Sequence, residues 1–269
     1  MSSLRVVAAF IRRDFRIHIS YRLSFVLQMS TILFYLALYY FLSRIVDQQQ
    51  FAASQDTDVS YFSYAAVGIA LLSILQVGLS SFSQKMREEQ TTGTFEALMA
   101  TPTSPSLVVL ASAVYDLLRS TAFAFVLLLT AMLLFGLELD TDPAALGLGV
   151  VALVGCLALF ASLGVAVAAF TVVFKQTAAL TAMVVSGLAL LGGVYFPVDV
   201  LPDALQKLAQ ILPFTWGLDV VRAALLGGDV DVAKLAGLFG SAAVLLPIAV
   251  LGFTMSVRRA RRTGTLAQY

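Results

Sequence analysis

Few residues of this 269-residue chain are of a type that does chemistry, and their spacing limits what that chemistry is. A single histidine, His18, and a single cysteine, Cys156, argue against a histidine metal site or a catalytic dyad, and they rule out a disulfide within the chain. Tyr115-Asp116 has the form of half the aspartate pair an intramembrane protease needs, but the Gly-x-Gly-Asp half is missing. Gly227-Gly228-Asp229 falls outside the membrane on the topology argued below. No Gly-x-Ser-x-Gly is present for serine chemistry, and no Gly-x-x-x-x-Gly-Lys-[Ser/Thr] loop is present to cradle a nucleotide phosphate. No catalytic residue and no metal ligand is assigned, and ATP hydrolysis is not expected of this chain.

What remains is charge in unusual places. Asp116 and Arg119 stand three residues apart, so on a helix they share a face and can pair. The reading preferred is a pair at the inner membrane boundary, with Arg119 reaching towards the headgroups. A charge deeper in the bilayer would by default mark a substrate path. Asp219 and Arg222 have the same spacing. With Glu138 they would line an outer mouth, or else stabilise the segment that carries them, and the second is the simpler reading. The densest polar stretch is Lys85 to Pro102, an island between long apolar runs. Arg87, Glu88 and Glu89 precede Gly93, Thr94, Phe95, Glu96, Leu98 and Met99, and then Thr101 and Pro102. Phe95, Leu98 and Met99 fall on one side of a short amphipathic helix, and Pro102 stops it. Such a helix suits a partner's groove: its apolar side fills the groove while Glu88, Glu89 and Glu96 meet basic residues.

These residues need elements to position them, and the composition says which. Hydrophobic residues make up 59% of the chain, charged residues only 12%, and mean hydropathy is +0.91. A surface that poor in charge cannot be solvated all round by water, so the class is an all-α integral membrane protein. The net charge of +1 leaves no footprint for nucleic acid. Six apolar runs are long enough for spans, at about 23–44, 61–82, within 107–137, 144–173, 178–195 and 233–256. The first starts too far in for a secretory signal. Ahead of it, residues 1–22 hold an amphipathic helix, with Leu4, Val7, Ala8, Ile11, Phe15 and Ile19 opposite Arg5, Arg12, Arg13 and Arg16. It suits the headgroup plane.

With the N-terminus inside, the inner segments hold Arg5, Arg12, Arg13, Arg16, Arg22, Lys85, Arg87, Lys175, Arg258, Arg259, Arg261 and Arg262, and the outer ones only Arg44, Lys207, Arg222 and Lys234. That bias puts both termini and the 85–102 island in the cytoplasm. Residues 192–228, broken by Pro197, Pro202 and Pro213, read as a re-entrant or interfacial helical hairpin on the outer side. Small residues in the fourth span (Gly155, Ala158, Ser162, Gly164, Ala168 and Ala169) allow close helix approach.

Two stretches resemble a known family. Glu88-Glu89-Gln90 followed by Gly93-Thr94-Phe95-Glu96-Ala97-Leu98 and Thr101-Pro102 resembles the cytoplasmic loop of type-2 ABC transporter permeases, the drug- and polysaccharide-export type. Pro197, Leu201-Pro202, Leu212-Pro213, Asp219, Arg222 and Gly227 resemble that family's outer segment before its last helix. The chain departs from the pattern in carrying Thr91-Thr92 before Gly93, and Phe95 where leucine is commoner. The resemblance implies a single permease domain over 1–269, working as a homo- or heterodimer in the plasma (inner) membrane. Each chain would bind a separate ATP-binding subunit, two copies in all, which holds ATP and Mg. Residues 85–102 would form the coupling helix that sits on this subunit. The exported cargo would be a drug-like, lipidic or glycan compound. A secondary transporter is the rival; it calls for a midplane ion site and internal symmetry, and neither is visible.

Overall fold

The computed structural model describes Arg12, residues 22–47, Phe51, and residues 59–91, 105–174 and 178–262. Among these every regular element is helical: α1 (Arg22–Ser43), α2 (Tyr61–Thr91), α3 (Pro105–Phe135), α4 (Pro143–Phe174), α5 (Ala178–Leu191), a 3-10 turn at Val198–Val200, α6 (Asp203–Ile211), α7 (Pro213–Leu226) and α8 (Val232–Arg262). The amphipathic helix expected over 1–22 lies outside the described residues except for Arg12, which is helical, and Arg22, which opens α1.

Three of the long helices start on side chains that accept from their first free N–H groups. Ser60 Oγ accepts from the Ser63 N–H at the start of α2 (3.1 Å). Asp142 accepts from Ala145 at the start of α4 (3.2 Å), and Asp231 from Ala233 (2.8 Å) and Lys234 (3.3 Å) at the start of α8. These polar residues stand where each apolar run begins, which is why the run begins as a helix there.

Among the described residues four stretches are long and apolar enough to cross a membrane: Tyr61–Gln84, Val114–Phe135, Pro143–Thr171 and Val232–Arg259. Two shorter apolar stretches, Met29–Ser43 and Ala178–Leu191, correspond to the first and fifth expected spans. The fifth is a correction. The apolar run extends to residue 195, but the helix stops at Leu191. Gly193 adopts φ +75°, and the Val194 N–H reaches back to the Ala189 carbonyl (3.3 Å). Glycine takes that left-handed conformation without penalty, so the helix closes there however apolar the sequence beyond it.

Of the long helices, α2, α4 and α8 run one way and α3 the other. The Phe62 and Phe135 rings lie 5.8 Å apart while Gly78 sits against Leu117, so α3 runs antiparallel to α2. Gly78 meets Phe160, and Thr171 of α4 reaches Ser83 (3.4 Å), so α4 runs parallel to α2. Gly155 packs on Leu238 while Val165, Ala168 and Ala169 cluster with Ala249, Phe253 and Val257, which makes α8 parallel to α4. The central core of α2, α4 and α7 buries Leu75, Leu79, Leu159, Phe160, Phe214 and Leu218 almost completely. The expected close approach in the fourth span is present at Gly164, where a Cβ would overlap the Gly78 carbonyl oxygen. Cys156 is fully buried and packs against Gly217 of α7.

Candidate functional site

α2 is the helix on which the candidate site is built. It does not stop at the end of its apolar stretch but continues as one helix through Gln84 to Thr91. Arg87, Glu88 and Glu89 therefore sit on helix backbone, as a direct extension of a membrane-crossing rod, where the sequence had the loop between spans begin. Gly93, Thr94, Phe95, Glu96, Leu98, Met99, Thr101 and Pro102 lie outside the described residues.

Above that extension, α2 carries Gln76, Ser80, Ser83 and Gln84, which line one wall of a cleft of about 440 Å³. Their spacing of four, three and one residues puts them on one helical face. The other wall is α5, which contributes Ala178, Thr181, Ala182, Val185 and Ser186. Among the described residues no charged side chain lines the cleft. The Thr181 hydroxyl is buried and makes no hydrogen bond within the protein. A buried hydroxyl left unpaired costs free energy, so this wall gains from any hydrogen-bonding guest. Gln76 also lines a second cavity of about 340 Å³, between α1, α2 and α3, with Tyr35, Tyr39, Ser73, Ser120 and Tyr195. The Tyr39 and Tyr195 rings stack there, 5.9 Å apart and nearly parallel. The polar stripe on α2 was not singled out in the sequence, although it was readable as glutamines and serines recurring on one face of an apolar span.

Asp116 and Arg119 are brought together, with Arg119 Nε 4.0 Å from Asp116 Oδ1. The Arg119 guanidinium also stands over the Phe123 ring, 5.9 Å from its centre. Both lie within the first turns of the stretch Val114–Phe135, on the level of Gly78. That level is nearer the Gln84 end of α2 than the Tyr61 end.

Asp219 and Arg222 are not brought together. Asp219 pairs instead with Lys234 of α8 (2.7 Å), both partly exposed. Arg222 is 6% exposed and points into the protein. Its Nη1 donates to the Gly193 carbonyl (2.8 Å), Nη2 to Val194 (2.9 Å) and Tyr64 (3.0 Å), and Nε to Tyr64 (3.2 Å). The Tyr64 ring lies 3.4 Å from the guanidinium carbon, and its hydroxyl donates to the Gly193 carbonyl (2.9 Å). Burial pulls the Arg222 pKa below its ordinary value, while Tyr64 and Asp219 push it back up. The carbonyl end of α5 supplies the compensating negative potential in place of a carboxylate. Gly68 makes room for this, since a Cβ there would lie 2.6 Å from Nη2 and 2.5 Å from the Val194 oxygen. Arg222 is thus a bolt between α7, α2 and the turn after α5, and it does not line an outer mouth. The rest of 192–228 is tied in the same way: Gln206 donates to the Asp199 and Leu201 carbonyls (2.9 and 2.7 Å), and Trp216 to Gln210 (2.6 Å).

A family model described as ABC-2 type transporter matches residues 5–226. The chain belongs to that family. It is also 28% identical over 177 residues to Nodulation protein J of Neorhizobium galegae, covering 64% of each protein. A second Nodulation protein J, from Rhizobium leguminosarum bv. viciae, is 37% identical over 68 residues, 25% of this chain and 26% of that one. The matched segments span less than two thirds of either relative. An ABC-2 membrane domain is a transport component, and the apolar helices make this one multi-pass in a membrane. The cleft between α2 and α5 is therefore a polar recess in the membrane domain of an ABC-2 transporter.

Proposed function

We propose that this chain is the permease subunit of an ATP-driven exporter, and that two permease chains together form the pathway. Each binds a separate ATP-binding subunit, which holds ATP and Mg and docks on residues 85–102. The observation that carries this reading is the course of α2. One uninterrupted helix bears the polar cleft face at Gln76, Ser80, Ser83 and Gln84 and then continues to Thr91, into the docking stretch. A push delivered at residues 85–102 acts on the wall of the cleft through a rigid rod. Opening is by alternating access or through a transient channel between the two chains. The amides and hydroxyls that line the cleft inside an apolar bundle suit a drug-like, lipidic or glycan cargo.

The shared direction of α2, α4 and α8, opposite to α3, supports six crossings of the inner (plasma) membrane with both termini cytoplasmic, α1 and α5 serving as the short first and fifth spans. Residues 192–228 then cap the outer side.

Two experiments test this. In membrane vesicles carrying the complex, Glu96→Lys or Gly93→Pro should cut ATP-driven export at least roughly tenfold while leaving membrane insertion intact; the first reverses a docking charge and the second blocks the turn. Full export by both variants would remove the docking assignment. Separately, in a Cys156→Ala background, cysteines placed at Asp56 and at Thr92 should react with an impermeant thiol reagent from opposite sides of the membrane. Reaction from the same side would overturn the six-crossing arrangement.

A further inference from the structure

The surface seam between α4 and α8 holds a groove of about 370 Å³, lined by Ser162, Ala166 and Phe170 on one wall and Ile248, Gly252 and Ser256 on the other. The groove is apart from the α2–α5 cleft and shares no lining residue with it. Its floor is low because small side chains alternate with the larger ones, and a Cβ at Gly252 would meet nothing within 4 Å. Along α8 it runs from Leu245 to Ser256, about 16 Å at the helical rise. One leaflet of a bilayer core is about 15 Å thick, so the groove is one leaflet long.

The two ends of the groove differ. Beyond Ser256 the helix carries Arg258 and Arg259, both exposed, where the apolar run of α8 gives way to charge. Arg259 follows Ser256 by three residues and Gly252 by seven, which places it on the groove's own face of the helix. Arg261 and Arg262 follow in the same helix, and four cations outweigh the partial negative charge of a helix carboxyl end. An apolar channel one leaflet long, ending in exposed arginines at the membrane boundary, has the form of an amphiphile with an anionic head.

We propose that this groove seats an acyl chain of an anionic phospholipid whose phosphate is held by Arg258 and Arg259. The bound lipid fills the outer side of the seam between α4 and α8, the most extensive helix pairing among the described residues, and so adds to the hold on the last helix. The inference is independent of the exporter reading, because it concerns only the membrane-facing surface of the full chain.

The test uses the full chain, delipidated in detergent, with phosphatidylglycerol or phosphatidylcholine added back and retained lipid counted by native mass spectrometry. The wild-type chain should retain phosphatidylglycerol at least roughly tenfold better than phosphatidylcholine, as expected for two arginines at a membrane surface. The double variant Arg258→Gln, Arg259→Gln should lose the preference and keep the weak phosphatidylcholine binding. Gly252→Trp should fill the groove and abolish retention of both lipids; Ala166→Trp, on the facing wall, reads out the same loss if the first variant folds poorly. Undiminished phosphatidylglycerol retention in both tryptophan variants would overturn the proposal. So would efficient disulfide cross-linking between two copies through Ile248→Cys in membranes, which would mean that a second chain covers the groove.

Discussion

Arg222→Ala is expected to lower the apparent melting temperature of the detergent-purified protein by on the order of 10 °C. The change removes every donor facing the Val194 carbonyl in this network and three further hydrogen bonds to Tyr64 and Gly193. It also leaves a hole beside the Tyr64 ring, between three elements far apart in the chain. Gly193 keeps the Tyr64 hydroxyl, so its carbonyl is not orphaned, but that of Val194 loses its guanidinium partner. Losing charge-assisted hydrogen bonds, leaving a buried carbonyl short of a donor and opening a cavity together cost roughly 2–5 kcal/mol. Arg222→Lys keeps the charge but not the planar fork that reaches three carbonyls at once, and should recover only about half the loss. Thermal unfolding followed by size-exclusion fluorescence distinguishes the two variants. A shift of less than about 2 °C for the alanine variant would mean that the outer helices are held by packing alone.

The second large effect is expected at Gly164. There α4 crosses α2 so closely that a Cβ would overlap the Gly78 carbonyl oxygen and stand 2.6 Å from the Phe82 ring. Phe82 is 1% exposed and cannot swing away. Gly164→Ala must therefore push the two helices apart, although alanine is the better helix former. Overpacking of this sort costs about 1–3 kcal/mol, and backbone contact puts this site at the upper end. Gly147→Ala on the same helix is the control, because nothing lies within 4 Å of its added Cβ. Melting of the two variants side by side should show a loss of about 5 °C or more for Gly164→Ala and no loss for Gly147→Ala. Equal behaviour would mean that α2 and α4 slide freely past one another.

Both sites show where reading residues in order runs out. Gly164 is visible in the sequence as one of several small residues in an apolar span, but nothing in its neighbours says that it alone meets a backbone oxygen. Asp219 and Arg222 are visible as a pair at helical spacing, and spacing alone favours an ion pair. The fold separates them because α7 presents Arg222 to the notch at Gly68 and leaves Asp219 at the rim beside Lys234. The fifth apolar run shows the same limit. Hydropathy carries it to residue 195, yet the chain turns at Gly193 and packs Gly192 against Phe214, a residue that hydropathy does not connect with it.

By itself the sequence determined the all-helical membrane class, the existence of nearly every helix, the polar island at 85–102 and the family. Those properties depend on neighbours along the chain: apolar runs bury backbone hydrogen bonds locally, and Ser60, Asp142 and Asp231 cap the helices that follow them. Only the tertiary structure decided that α2 runs unbroken from the cleft to Thr91, that its polar face meets α5, and that Arg222 bolts three elements together. These depend on which helix faces touch. That choice is made by the fit of side chains such as Gly68, Gly78, Phe82 and Gly164 across helices, and that fit has no period along the sequence.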